Sequence, residues 1–273
     1  MKRKLLIIVP AIVILLIAIG ITIGQGRRRP LSFDTAVDRN GVPTWEKDPA
    51  FKDDVFTFVR VRYTSYNDNA RFGKWLTDFP DSDLNFSYRL QELTSLKVDP
   101  DGKILALTDD ELFDYPFLYL IEPGQMYLNE EEVKGLRRYC LNGGFLMVDD
   151  FWGEHEWRNF YSQIKRVFPD REPQELPLEH EIFHNVYDLK KKPQIPSINT
   201  FWSGRTSERS DAPEAYYKGI FDDKGRMMVI ICHNTDLGDG WEREGMDPSY
   251  FKEFSEKWSY PLGINIVTYA MTH

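Results

Sequence analysis

The segment Tyr115–Asp150, YPFLYLIEPGQMYLNEEEVKGLRRYCLNGGFLMVDD, contains the pattern that decides the fold. It has two short, wholly apolar runs, FLYLI and FLMV, and the apolar residues between them are spaced as on one face of a helix. Wholly apolar strands of this length are typical of the middle of a parallel sheet, where both faces are covered. The segment therefore predicts a strand–helix–strand unit of an α/β protein.

Signals at both ends define the helix between these two strands. Asn129 precedes the glutamates Glu130–Glu132 and is expected to cap the helix, because a first helical turn favours negative charge. Val133 and Leu136 lie on the apolar face, and Asn142–Gly144 is expected to end the helix.

Similar patterns extend on both sides of this unit. The alternation in 55–62 predicts a strand, and PDSDLNFSYRLQELTSLKV at 80–98 predicts a helix capped by Asp81 or Ser82. The remaining predicted elements are a short strand at 102–107, a helix at 154–169, a hairpin at 216–234 and a closing helix at 260–272. We therefore expect a layered, mostly parallel sheet with helices on its faces and a C-terminal hairpin and helix.

The N-terminal residues predict a membrane anchor. Leu5–Ile23 is 19 residues without a charge, about the length that a helix needs to cross a bilayer. A cleaved signal peptide is the alternative, although its apolar region is usually shorter. We expect an anchor at 1–30 with its transmembrane helix at 5–23, a tether at 31–52 and an α/β domain at 53–273.

The charge distribution argues against a nucleic-acid partner. The chain has 43 acidic and 34 basic residues, and every acidic residue lies after residue 30. Six of the basic residues lie before residue 30, so the predicted domain is more acidic than the chain as a whole. Such a surface would repel phosphate backbones.

Several segments resemble one bacterial family. They are RFGKWLTDFPDSDLNF, the segment quoted first, PLEHEIFHNVY, GRMMVIICHNTDLGDGWE and LGINIVTYA, which together cover roughly 55–271. The chain resembles the domain-of-unknown-function family 4159 (DUF4159). The resemblance implies a flavodoxin-like fold similar to class I glutamine amidotransferases. It also implies neighbours of the MoxR ATPase and von Willebrand factor A type in the cell envelope, and no established reaction.

The chain lacks the nucleophile that glutamine amidotransferases use. Their mechanism needs an activated nucleophile on a sharp strand-to-helix turn. Here the turn after FLMV presents Asp149 and Asp150, while Cys140 and Cys232 are expected to be small buried residues of a helix and a strand. We expect neither amidotransferase chemistry nor a cofactor.

Two polar segments are candidate ligand or partner surfaces. In DDFWGEH, which should lie at the carboxyl ends of the strands, the candidates are Asp149, Asp150, Trp152 and His155. The alternative is that an Asp caps the following helix while the aromatic residues pack.

The second segment is HNTDLGDGWEREGMD, and its candidates are Asp236, Asp239 and Trp241. It does not meet the EF-hand spacing, so a solvated loop with Trp241 packed against the sheet is the alternative.

The stretch HEIFH at His180–His184 matches the H-E-x-x-H pattern of zinc peptidases, in which Glu181 would be the base. That pattern requires a helix, and the nearby Pro177 and Pro193 leave room for a short one at most. Metal binding by His180 and His184 is therefore kept only as an alternative.

These observations predict a single-pass protein of the bacterial cytoplasmic membrane that contacts the bilayer through residues 5–23. Its C-terminal domain would be extracytoplasmic and would act as a non-catalytic binding or assembly module of the cell envelope. The alternatives are a zinc-dependent hydrolase and a sensor of a sugar or peptidoglycan fragment. Arg60, Arg62 and Arg205 are interpreted as surface charges or as counterions of acidic loops.

Overall fold

The computed structural model describes residues 38–51, 54–66 and 73–273. The predicted membrane anchor, including its helix at 5–23, lies outside these residues, as does part of the predicted tether. Within the described ranges, no helix combines the length and the apolar character that crossing a membrane requires.

One sheet organises the described part of the chain. Its strands are β1 (Val59–Arg62), β2 (Lys103–Ala106), β3 (Phe117–Ile121), β4 (Phe145–Asp149), β5 (Gln174–Glu175), β6 (Tyr216–Phe221) and β7 (Met227–His233). Their order is β2-β1-β3-β4-β7-β6-β5. The pairs from β2 to β7 are parallel, while β6 pairs antiparallel with both β7 and β5. The mostly parallel sheet and the C-terminal hairpin are therefore confirmed.

Helices cover both faces of this sheet. They are α1 (Asp81–Leu93), α2 (Glu130–Leu141), α3 (Gly153–Val167), α4 (Ile198–Trp202), α5 (Leu237–Glu242), α6 (Pro248–Tyr250) and α7 (Tyr260–Thr272). A π-helical stretch, Phe251–Ser259, leads into α7. Short 3-10 helices lie at Pro49–Phe51, Lys74–Leu76, Asp110–Asp114, Pro123–Gln125 and Glu181–Phe183. The predicted closing helix is confirmed as α7.

The alternation of side chains along the central strands builds two cores. In β3, Leu118 and Leu120 enter the core formed with α2 and α3. Phe117, Tyr119 and Ile121 enter the core formed with α1 and α7 on the opposite face. Successive side chains of a strand point to opposite faces, so a wholly apolar strand requires helices on both sides. Full burial of one leucine or phenylalanine contributes roughly 1.5–3 kcal/mol.

The two predicted helix caps have different outcomes. Asn129 accepts hydrogen bonds from the backbone nitrogens of Glu131 and Glu132, and the Glu132 side chain bonds back to the Asn129 backbone. The predicted cap of α2 is therefore confirmed as a reciprocal capping box. For α1 the prediction is wrong, because Pro80 occupies the cap position and makes no side-chain bond to the helix.

Arg60 of β1 is the hub of a buried polar network. Its side chain is wholly buried, and its guanidinium contacts both carboxylate oxygens of Asp83, with the Nε atom 2.9 Å from Oδ2. It also donates to the Ser82 hydroxyl and to the carbonyl oxygens of Trp75 and Thr77, at 2.8–2.9 Å. The network thus joins the sheet to the chain on both sides of residue 78.

The interpretation of Arg60 as a surface charge is wrong. The alternation with Arg62 is compatible with one polar strand face, but Arg62 is only half-buried whereas Arg60 is fully enclosed. The alternative role as a counterion holds, although the partner is Asp83 in the first turn of α1 and not an acidic loop. Burial of an arginine is compatible with stability because each polar group of the network has a partner.

Residues 38–51 of the predicted tether contact the domain. The indole Nε1 of Trp45 donates to the Val98 carbonyl at 2.8 Å, and its ring lies 6.0 Å from that of Tyr88. The Arg39 guanidinium forms an ion pair with Asp101 at 2.7 Å. These contacts attach the described part of this segment at the β2 side of the sheet.

Replacement of Arg60 by methionine is expected to lower the free energy of unfolding by about 3–5 kcal/mol, because the Asp83 carboxylate would stay buried without its counterion. The change is measured by urea denaturation at pH 7. A double variant, Arg60→Met with Asp83→Leu, should recover part of the loss, because it removes the unpaired charge.

Lys134→Ala provides the control for this prediction. Lys134 forms an exposed ion pair with Glu131 one helical turn away, so its loss should leave the free energy of unfolding almost unchanged. If Arg60→Met lowered the free energy of unfolding as little as Lys134→Ala does, Arg60 would not be the hub that we describe.

Candidate functional site

The parallel strands end in unusual backbone conformations at their carboxyl edge. Glu122, Asp150 and Asn234 directly follow β3, β4 and β7, and their φ angles are +53°, +53° and +62°. Asp78, in the chain between β1 and α1, also has a positive φ of +62°. A left-handed conformation costs a non-glycine residue roughly 1–2 kcal/mol, and such residues concentrate at functional sites.

Five carboxyl groups meet at this edge, and we call them the acidic cluster. Its members are Asp78, Asp150, Asp236, Asp239 and Glu242. They form two triads that share Asp78: one with Asp150 and Asp236, the other with Asp239 and Glu242. Within each triad, one oxygen of every carboxyl group lies within 4.8 Å of the others. Three members are almost fully buried: Asp150 is 7% exposed, Asp236 4% and Asp239 3%.

Hydrogen bonds from neighbouring elements hold the members contributed by the loop after β7 and by α5. Asp236 caps α5, because its Oδ1 atom accepts from the Asp239 backbone nitrogen at 2.7 Å. Asp239 in turn accepts from the Ile198 backbone nitrogen at the start of α4. The Asp236 backbone nitrogen donates to the Ile195 carbonyl at 3.0 Å. The loop after β7 is thus fastened to the segment before α4.

Asp150 is held from the opposite side of the cluster. Its Oδ1 atom accepts from the indole nitrogen of Trp152 at 3.1 Å, and Trp152 is 4% exposed. The Trp152 backbone nitrogen donates to Glu156 at 2.7 Å. The tryptophan therefore orients the carboxyl group and shields it from solvent.

Asp149 lies beneath the cluster and has one oxygen without a partner. Its Oδ2 atom accepts from the Tyr119 hydroxyl at 3.1 Å and from the Gly238 backbone nitrogen at 3.0 Å. Its Oδ1 atom is buried and has no hydrogen-bond partner, and the same is true of the Oδ2 atom of Asp78. A buried acceptor without a donor usually costs about 1–3 kcal/mol.

Gly238 leaves room for the Asp78 carboxyl group beside the Tyr119 hydroxyl, which donates to Asp149. A Cβ atom at residue 238 would lie 2.6 Å from Asp78 Oδ2 and 2.7 Å from the Tyr119 hydroxyl oxygen. Both distances are too short for van der Waals contact, so a side chain at residue 238 would displace Asp78 or Tyr119. The two unpartnered carboxylate oxygens therefore belong to one buried polar region.

Positive charge is unevenly distributed around these carboxyl groups. The Arg243 guanidinium lies 3.1 Å from Asp239 Oδ1 and 2.7 Å from Glu242 Oε2, so it neutralises part of the second triad. Arg60 is near Asp78, but its hydrogen bonds go to Asp83 and its neighbours. Among the described residues, no arginine, lysine or histidine forms an ion pair with Asp150 or Asp236.

Burial and mutual repulsion raise the pKa values of the carboxyl groups. Burial is the largest cause for Asp78, Asp150 and Asp236, whose pKa values lie well above the usual range, and the neighbouring carboxylates raise them further. Burial raises the pKa of Asp149 to about 7 and that of Glu242 also to about 7. The site therefore stores unfavourable electrostatic energy when its carboxyl groups ionise.

The structure brings the two predicted surfaces together but changes the role of two residues. Asp150 from the first segment lies beside Asp236 from the second, and Trp152 donates a hydrogen bond to Asp150. The sequence predicted each segment only by itself. Asp149 and Trp241 are wholly buried, and neither belongs to the acidic cluster.

Trp241 packs against rings of the sheet side and of α1, as the alternative predicted. The rings that it contacts are those of Phe58, Phe86 and Tyr119. The solvated loop of that alternative is wrong, because Leu237–Glu242 forms the largely buried helix α5.

His155 is not part of the acidic cluster. It is exposed at the start of α3 and lines a separate cavity with Tyr66, Gly124, Arg158 and Asn159, among others. The structure therefore places His155 apart from Asp150, the other polar candidate of the first segment that joins the cluster. The reason is that α3 starts at Gly153 and carries residue 155 away from the end of β4.

Neither aspartate of DDFWGEH caps α3. The backbone nitrogens of its first turn donate to Asn234 and Asp211, at 2.8 and 3.0 Å.

Sequence reasoning did not single out Asp78 as a site residue. It lies in LTDFPDS, a stretch that the family resemblance included but that has no pattern of its own. Its place in the cluster depends on the left-handed backbone at residue 78 and on the bonds from Arg60 to Trp75 and Thr77. Glu242 lies in the second candidate segment, three residues after Asp239.

The H-E-x-x-H stretch does not form the geometry of a zinc site. Glu181–Phe183 is a single 3-10 turn and not an α-helix. Both ring nitrogens of His184 lie 2.7 Å from protein oxygens, those of Asp188 and Leu178. Glu181 lies 3.3 Å from His273. Within the described ranges, His180 and His184 do not belong to a group of residues that could share a metal ion.

The fold and the site define a class of α/β protein with a mostly parallel sheet and a buried carboxylate site at its carboxyl edge. The chain belongs to the family Domain of unknown function (DUF4159), whose model matches residues 57–271. The family resemblance seen in the sequence is therefore confirmed. No curated protein matches the chain.

Asp149→Asn is expected to flatten the decline of stability with increasing pH. Between pH 4 and pH 7 the folded protein holds a proton on Asp149 that the unfolded chain, with a pKa of about 3.9, has released, so the free energy of unfolding falls as pH rises. From pH 5 to pH 8 the variant should lose about 2 kcal/mol less than the natural protein. Urea denaturation in metal-depleted buffer measures the free energy of unfolding of the variant and of the natural protein at each pH.

Asp223→Asn is the matched control, because its side chain is 90% exposed and the charge change is the same. An identical pH dependence in the natural protein and Asp149→Asn would contradict the raised pKa of Asp149.

Proposed function

We propose that this domain is a non-catalytic binding module whose acidic cluster binds a positively charged group of a ligand or partner. One observation supports the proposal above others: carboxyl groups from separate chain segments converge, and among the described residues Asp150 and Asp236 form no ion pair. Proteins seldom bury like charges without a compensating interaction, because each desolvated charge is costly.

The position of the cluster supports a ligand-binding role. The parallel strands follow the order β2-β1-β3-β4-β7, which corresponds to the 2-1-3-4-5 order of flavodoxin-like sheets, and we propose that fold. Ligands of such sheets bind beyond the carboxyl ends of the strands, near the point where the strand order reverses. Asp78 follows β1 at that point, and Asp150 follows β4.

The residues at this edge favour binding over amidotransferase chemistry. The strand-to-helix turn after β4 presents Asp150 at the place where that chemistry requires a nucleophile. Cys140 and Cys232 are fully buried, and burial raises the pKa of Cys140 to about 12 and that of Cys232 well above its usual range. Neither thiol would ionise near neutral pH, so neither is an activated nucleophile.

We further propose that residues 5–23 anchor the chain in the bacterial cytoplasmic membrane, with the domain on the outer side. The support is the uncharged stretch itself. Proteins of the MoxR ATPase and von Willebrand factor A systems are the proposed envelope partners, on the ground of family resemblance alone. Carbonate extraction of membranes tests the anchor: the full chain should stay in the pellet, and release into the supernatant would contradict it.

Thermal unfolding of the purified full-length protein tests the binding function. The panel contains divalent metal ions, polyamines, guanidines and lysine-rich peptides, with neutral sugars and anions for comparison. At about one hundred times its Kd, a cation that binds the cluster should raise Tm by roughly 5–10 °C, because it stabilises only the folded state. A double variant, Asp150→Asn with Asp236→Asn, should lose this response.

The matched control combines Asp170→Asn with Asp223→Asn, which removes the same charge at exposed positions outside the cluster. It should respond to the cation as the natural protein does. Stabilisation by a neutral sugar or an anion, with equal effect in the cluster variant, would contradict the proposal and favour a sensor of another ligand class.

A further inference from the structure

We infer that Asp78, Asp150 and Asp236 form a binding site for one hard divalent cation of the Mg²⁺, Ca²⁺ or Mn²⁺ class. The inference rests on the proposed function and deepens it, because it identifies the positively charged group as a metal ion. The three oxygens lie within 4.8 Å of one another. A cation bound at about 2.0–2.6 Å from each oxygen needs a spread of this size or smaller.

The choice between the two triads follows from Arg243. Its guanidinium contacts Asp239 and Glu242, so the second triad already has a positive partner. In the first triad, Asp236 accepts only a backbone N–H bond and Asp150 only an indole N–H bond. Both donors are neutral, and Lys74, the lysine near Asp150, forms its ion pair with Glu122 instead. The missing ion pair favours the first triad as the cation site.

An unpartnered carboxylate oxygen is a second observation that points to a cation. Asp78 belongs to the triad, and its Oδ2 atom is closed off from solvent and has no hydrogen-bond partner. A metal ion bound by the triad would satisfy this acceptor.

The chemistry of the donor atoms decides the class of ion. All three ligands of the triad are carboxylates, and carboxylate oxygen is the preferred ligand of Mg²⁺, Ca²⁺ and Mn²⁺. Zinc and copper usually take imidazole or thiolate ligands, and no histidine or cysteine belongs to either triad of the described structure. Three protein ligands leave coordination positions for water or for an oxygen of a bound ligand.

Isothermal titration calorimetry of the full-length protein, after removal of metals by a chelator, tests the inference. The titrants are MgCl₂, CaCl₂ and MnCl₂. We expect one equivalent of at least one ion to bind, with a Kd at least tenfold higher in Asp150→Asn and in Asp236→Asn. Both asparagines keep the oxygen that accepts the Trp152 or Asp239 hydrogen bond, so these variants should fold.

Asp170→Asn, an exposed aspartate, is the matched control and should bind as the natural protein does. Absence of binding for all three ions, or equal affinity in the natural protein and Asp150→Asn, would overturn the inference. If an organic cation still raised Tm through Asp150 and Asp236, the metal site would be refuted while the proposed binding function stood. If no cation of any kind bound, both would fail.

Discussion

The buried ion pair between Arg60 and Asp83 is the interaction on which the rest of the site depends. Arg60 is in a strand of the parallel sheet, and Asp83 is in the first turn of α1. The remaining hydrogen bonds of the guanidinium fix the chain at residues 75, 77 and 82. Asp78 lies between these fixed residues. The Arg60 side chain therefore positions a carboxyl group that is far in sequence from the other members of the acidic cluster.

Some parts of this arrangement stabilise the fold, and others destabilise it. The apolar cores on both faces of the sheet and the satisfied bonds of Arg60 stabilise the fold. The carboxyl edge opposes them, because left-handed aspartates, buried like charges and unpartnered oxygens all cost free energy. Residues that weaken a fold at the place where ligands bind are expected when binding supplies the compensating interaction. This balance is the physical reason to assign function to the acidic cluster.

Sequence reasoning predicted what depends on local pattern. The apolar runs of β3 and β4 and the cap at Asn129 determined the central strand–helix–strand unit, and the rule for parallel sheets placed Asp150 at the carboxyl edge. It did not predict that the loop after β7 would contact Asp150, because that prediction requires knowledge that β7 is next to β4 in the sheet. Arg60 was misinterpreted because alternation with Arg62 does not reveal a buried partner on another element.

Two further site residues show the same limit. His155 follows Trp152 by three residues, but the start of α3 between them separates their environments. Asp78 has no sequence signal apart from the family resemblance. Neither its left-handed backbone nor the hydrogen bonds of Arg60 that fix the neighbouring chain produce a periodic pattern. Contacts within one element were predictable from spacing, whereas those between elements required the three-dimensional arrangement.

The central claim is that the acidic cluster is a cation-binding site held in place by Arg60. Anomalous diffraction from crystals of the protein grown with Mn²⁺ tests it most directly. Our account predicts one anomalous peak about 2.0–2.6 Å from oxygens of Asp78, Asp150 and Asp236. Crystals that show no peak there, with these carboxyl groups hydrogen-bonded to one another through shared protons, would contradict it.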